Sequence, residues 1–72
     1  MFRATAQKLG GPPAEGRTFE TADIAAHMLF ILINAAGWTD SEESALDVLR
    51  SGEPLVFKRF EYRVTEEPQD VP

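Results

Sequence analysis

Asp23 and His27 stand four residues apart, a spacing that puts a carboxylate beside an imidazole on one helix face. An acid so placed can orient a base, as in enzymes that activate a nucleophile. Ser41 and Ser44 supply hydroxyls further along. The remaining machinery does not follow. No Gly-x-Ser-x-Gly turn occurs. The stretch "LGGPPAEG" lacks the Lys-Ser/Thr ending of a phosphate-cradling loop and does not open a helix. The doublets Glu42–Glu43 and Glu66–Glu67 are adjacent, so on a helix their side chains diverge by about 100°. A chain of 72 residues also offers little room for a pocket. No catalytic activity is expected, and the Asp–His spacing reads as a solvated helix pair.

Metal and redox chemistry are as thinly provided. The chain has no cysteine and one histidine, which excludes disulfides and leaves a zinc site short of ligands. No cofactor or metal is expected. Absence of cysteine fits a cytoplasmic, intracellular protein. The first sixteen residues contain no apolar signal region. The longest nearly uncharged run, Ile24 to Trp38, falls short of the ~17–25 residues that a bilayer span needs. Twelve acids against seven bases give a net charge of −5, which repels nucleic acid and anionic membrane at long range.

The elements that must position these residues can be read from pattern. Phe2, Ala4 and Ala6 alternate with Arg3, Thr5 and Gln7, the signature of a half-buried strand. Residues 10–16, "GGPPAEG", form a loop. Thr21 is a good N-cap for a first helix that Gly37 ends, with Phe19 as a hydrophobic anchor just upstream. In "WTDSEESALDVLRSG" the pairs Thr39–Glu42 and Asp40–Glu43 each make a capping box for a second helix. Ala45, Leu46, Val48 and Leu49 form its apolar stripe, and Gly52 stops it. Phe60, Tyr62 and Val64 alternate with Glu61, Arg63 and Thr65, a final strand. Leu55 and Phe57 are out of phase with that set, which a bulge or turn at Lys58–Arg59 would reconcile. The expected fold is α+β: one small domain over residues 1–65, β-α-α-β, with a two-stranded sheet packed on a helical pair. Residues 66–72, acidic with two prolines, are expected to be a disordered tail.

The stretch "AAHMLFILINAAGW", residues 25–38, is the anomaly. On a helical wheel Asp23, His27, Phe30 and Asn34 form one narrow stripe, and every other position from Ala22 to Ala36 is apolar. A helix apolar nearly all round must be covered on more than one side, and a chain this small has little to cover it with. The economical cover is a second copy, so a homodimer through Met28, Leu32 and Ala35 is expected. Phe30, inside the polar stripe, is either core or an exposed aromatic anchor between His27 and Asn34.

Two functional readings follow. In the first, the chain is a small non-catalytic protein-binding module, a regulator or inhibitor. The acids of the second helix, Asp40, Glu42, Glu43 and Asp47, would dock on a basic protein such as a nucleic-acid-handling machine, with Asp23, His27, Phe30 and Asn34 as a further face. Phage-encoded regulators fit this size and charge. In the second, the two helices form a helix-turn-helix, or "FKRFEYR" binds single strands through Lys58, Arg59 and Arg63 with interleaved aromatics. The acids at the start of the second helix would face phosphates, which disfavours groove reading.

Overall fold

The alternating segments at the two ends become the two long strands, and they pair with each other. The computed structural model describes residues 1–67. Strand β1 (Phe2–Lys8) runs antiparallel to the last strand, with Ala4 opposite Val64 and Ala6 opposite Tyr62. The sheet has four strands, not the expected two. A short β2 (Arg17–Phe19) follows β1, two helices intervene as α1 (Ala22–Ala35) and α2 (Glu42–Arg50), and β3 (Leu55–Phe57) precedes β4 (Phe60–Glu66). The chain order is therefore ββααββ, and the spatial order is β2-β1-β4-β3, antiparallel throughout. Both added strands have three residues, too few for a period to show in sequence, and each folds back on a long neighbour.

The phase break between Phe57 and Phe60 is a two-residue hairpin turn. Lys58 (φ 48°) and Arg59 (φ 70°) both adopt the left-handed region, the pairing typical of a type I′ turn. Phe57 then faces Phe60 and Leu55 faces Tyr62, which returns all four to one face of the sheet. The Leu9 N–H donates to the Arg59 carbonyl at 2.8 Å and ties this tip to the end of β1.

Thr21 caps α1 as its type suggests, its hydroxyl accepting the Ile24 N–H at 3.1 Å. At the other end Gly37 N–H donates to Asn34 O and Trp38 N–H to Ile33 O, the double bond of a Schellman motif. Neither expected capping box opens α2. Its N-cap is Ser41, whose hydroxyl accepts the Ser44 N–H at 3.1 Å. Trp38 lies edge-on to Phe57 at 5.1 Å, and its indole N–H donates to the Ser41 carbonyl. This anchor holds residues 38–40 off the helical path, so the helix begins later than Thr39 or Asp40 would have started it.

Both helices lie on one face of the sheet. Ala25, Ala26, Leu29 and Ile33 from α1 and Ala45, Leu46 and Leu49 from α2 are buried against Ala4, Leu55, Tyr62 and Val64. The expected tail is shortened at its start. β4 continues through Glu66, opposite Phe2, and the Glu67 N–H donates to the Met1 carbonyl at 2.8 Å. Glu67 also pairs with Arg3, which raises the guanidinium pKa and holds the Glu67 carboxyl below its usual range. Pairing with β1 thus orders two residues that carry almost no apolar surface. The remainder of the expected tail, residues 68–72, lies outside the described residues.

Candidate interaction surface

Helix α1 has three faces. The first is the core face already described. The second is polar: Asp23, His27 and Asn34 are exposed, with Phe30 half-buried beside them and packed on the core. Phe30 thus packs against the core with part of its surface still exposed. α2 packs against α1, and its Arg50 reaches Asp23 on this side. The third face is Ile24, Met28, Ile31, Leu32 and Ala35, one stripe at i, i+4, i+7, i+8 and i+11. It flanks the β1–β2 side of the sheet and stays in solvent: Ile24 is 46%, Met28 41%, Ile31 61% and Leu32 50% exposed. The chain's own sheet and second helix do not cover the apolar girth of α1. Met28, Leu32 and Ala35, the expected dimer contacts, all lie on this uncovered face.

A groove of about 400 Å³ opens beside this stripe. Met28, Leu29, Ile31 and Leu32 form its helix wall, Ala4, Ala6 and Phe19 its sheet wall, and Ala14, Gly16 and Arg17 its outer rim. Small side chains make the space. The two inward positions of β1 at the groove, Ala4 and Ala6, are alanines, whereas their partners on β4 are Val64 and Tyr62. Gly16 fits closely at the rim, where a Cβ would stand 2.5 Å from the Ala4 carbonyl oxygen.

The charged candidates are placed differently from their sequence neighbourhoods. The Asp23 carboxylate bridges the helices, 2.9 Å from Arg50 Nε. The His27 Nδ1–H donates to the Asp23 backbone carbonyl at 2.8 Å, while the carboxylate stands farther off at 3.6 Å. The pair is thus tied to structure, and no serine hydroxyl is bonded to the imidazole among the described residues. On α2, Asp47 and Glu43 lie 3.2 and 3.7 Å from Arg50 Nη1. Asp40 accepts the Ser41 N–H at 2.8 Å. Asp40, Glu42, Glu43 and Asp47 are all exposed, but Arg50 screens part of the charge that sequence alone left unopposed.

The basic patch comes apart. Lys58 and Arg59 form the hairpin tip, but Arg63 belongs to the solvent face of the sheet, 3.6 Å from Glu61. Lys58 Nζ lies 5.5 Å from the Phe57 ring centre and close to Gly37, at the negative end of α1. Sequence reasoning missed Lys8, which the β1–β4 register brings opposite Phe60 at the same end. It also missed Arg17 and the alanines of the groove. Only the pairing of β2 with β1, Ala4 opposite Arg17, puts that exposed cation on the side of the sheet where the groove opens.

Among the described residues no group of three or more His, Cys, Asp or Glu side chains gathers as a metal site. No helix among them is long and apolar enough to cross a membrane. No family model, curated protein or solved structure matches the chain.

Proposed function

We propose that this protein is a small non-catalytic protein-binding module that pairs with a second copy through the outer face of α1. The observation that carries the reading is the stripe Ile24, Met28, Ile31 and Leu32, each about half exposed on one helix. Such a patch is on the order of the 300–600 Å² of the largest apolar patches on monomers, which are often functional. It supplies roughly half of the ~800 Å² per partner of a standard interface, and the flanks of the stripe are available for the rest. A two-fold pairing places the same stripe on both sides and shields both from water at once.

The exposed acids of α2 form a second docking surface in this reading, suited to a basic protein surface of the kind found on nucleic-acid-handling proteins. The direct nucleic-acid alternative has less support, because Arg63 is paired with Glu61 away from Lys58 and Arg59. Heparin retention at low salt separates the two: a nucleic-acid binder is held and an acidic docking module flows through.

Light scattering tests the pairing. At micromolar concentration the chain should show twice its 8.0 kDa mass. Ile31→Glu combined with Leu32→Glu should give the single-chain mass while keeping the helical circular-dichroism signal. A clean monomer for the unmodified protein ends the proposal.

A further inference from the structure

The groove between α1 and the β1–β2 edge is a site in its own right. Its walls are apolar, and its volume lies within the ~300–1,000 Å³ range of small-molecule sites. Its one charged lining residue is Arg17. That residue is exposed at the rim, shares the helix-covered side of the sheet with its cross-strand partner Ala4, and takes part in no ion pair among the described residues. An apolar trough with a single guanidinium on its rim matches one ligand chemistry. We propose that this groove binds a single-chain alkyl carboxylate, with the chain along Ala4, Ala6, Leu29 and Leu32 and the headgroup on Arg17.

Size, charge and shape all argue for this class. If a methylene fills about the volume of a liquid water, ~30 Å³, then 400 Å³ holds a chain of roughly twelve carbons. One cation balances one carboxylate, and the planar guanidinium fork matches carboxylate geometry. A dianionic phosphate headgroup would find only this one cation in the lining. A charge on an edge strand can also serve simply to guard that edge against further pairing. That role predicts no preference between headgroups, so the headgroup is what the test varies. The groove shares Met28, Ile31 and Leu32 with the α1 stripe, so ligand and second copy meet on one helix wall, whereas Ala4, Ala6 and Arg17 belong to the groove alone.

Titration of the full chain with dodecanoate, below its critical micelle concentration, tests the proposal. The readouts are calorimetry and the methyl resonances of Ala4, Ala6 and Ala14. Saturable binding is expected, with those methyls shifted and dodecanol bound at least tenfold more weakly. Arg17→Gln should remove the preference for acid over alcohol. Ala6→Leu, or Ala14→Leu should the first variant fail to fold, should block the groove and lose binding of both. Light scattering in the same samples reports self-association separately, so failure of one idea is distinguishable from failure of the other. The proposal is overturned by absence of saturation, by equal binding of acid and alcohol, or by undiminished binding in a folded Leu variant. It is equally overturned if the alanine methyls shift only with protein concentration, because a second copy then occupies the groove.

Discussion

Two glycines in the same connecting segment offer a controlled test of how tightly the rim of the groove is built. Gly10 (φ +78°) and Gly16 (φ +74°) share a left-handed backbone, so alanine at either pays the same conformational penalty, about 1 kcal/mol. They differ in what a Cβ meets. At Gly10 nothing lies within 4 Å, whereas at Gly16 the new atom falls 2.5 Å from the Ala4 carbonyl oxygen and 2.7 Å from Thr5 Cγ2. The carbonyl belongs to β1 and cannot swing aside without disturbing that strand. Overpacking of this kind adds about 1–3 kcal/mol. Gly10→Ala should therefore cost about 1 kcal/mol and Gly16→Ala at least ~2 kcal/mol, in a domain whose whole stability is roughly 3–10 kcal/mol at this length. Each kilocalorie should lower the melting temperature by roughly 4–8 °C for a domain of this size. Thermal melts and urea titrations of the two variants side by side give the comparison. Equal losses, within a couple of degrees, would refute the argument that β2 is held against β1 through a gap only glycine fits.

Three further outcomes are expected. Replacing Lys58–Arg59 by Asn-Gly should stabilise the hairpin by about 1 kcal/mol, because both residues occupy left-handed backbone that Asn and Gly prefer; a lower melting temperature would mean that Lys58, over the Phe57 ring and beside the C-terminus of α1, contributes more than the turn strains. Arg50→Gln should cost up to about 1 kcal/mol, since it releases Asp23, Glu43 and Asp47 at once, and the loss should fade in 1 M salt; a salt-independent loss would assign the effect to packing. Tyr62 is the single tyrosine, and burial raises its pKa. The fold favours the neutral phenol, so this contribution is complete below the ordinary value of about 10 and is lost as pH rises through the folded-state value. Absorbance at 295 nm against pH should show a midpoint above that of free tyrosine, and a midpoint at or below it would contradict the burial.

Short-range chemistry made much of this protein legible without coordinates. The Thr21 cap, the Gly37 stop, the existence of the two end strands and the turn at Lys58–Arg59 each depend on residues a few positions apart, so local sterics and periodicity sufficed. The excess apolar surface of α1 was also readable, because a wheel with one narrow polar stripe cannot hide its composition. What escaped was whatever depends on register between distant segments. β2 and β3 exist because longer strands offer them edges, and three residues carry no period of their own. Arg50 gathers carboxylates from two helices, Arg63 parts from Lys58 and Arg59, and Glu66 and Glu67 join the sheet. None of these follows from sequence neighbourhood. Arg17 faces a groove only because its strand pairs Ala4 with it. A one-residue slip would turn that cation to the solvent face and leave the groove without its charge.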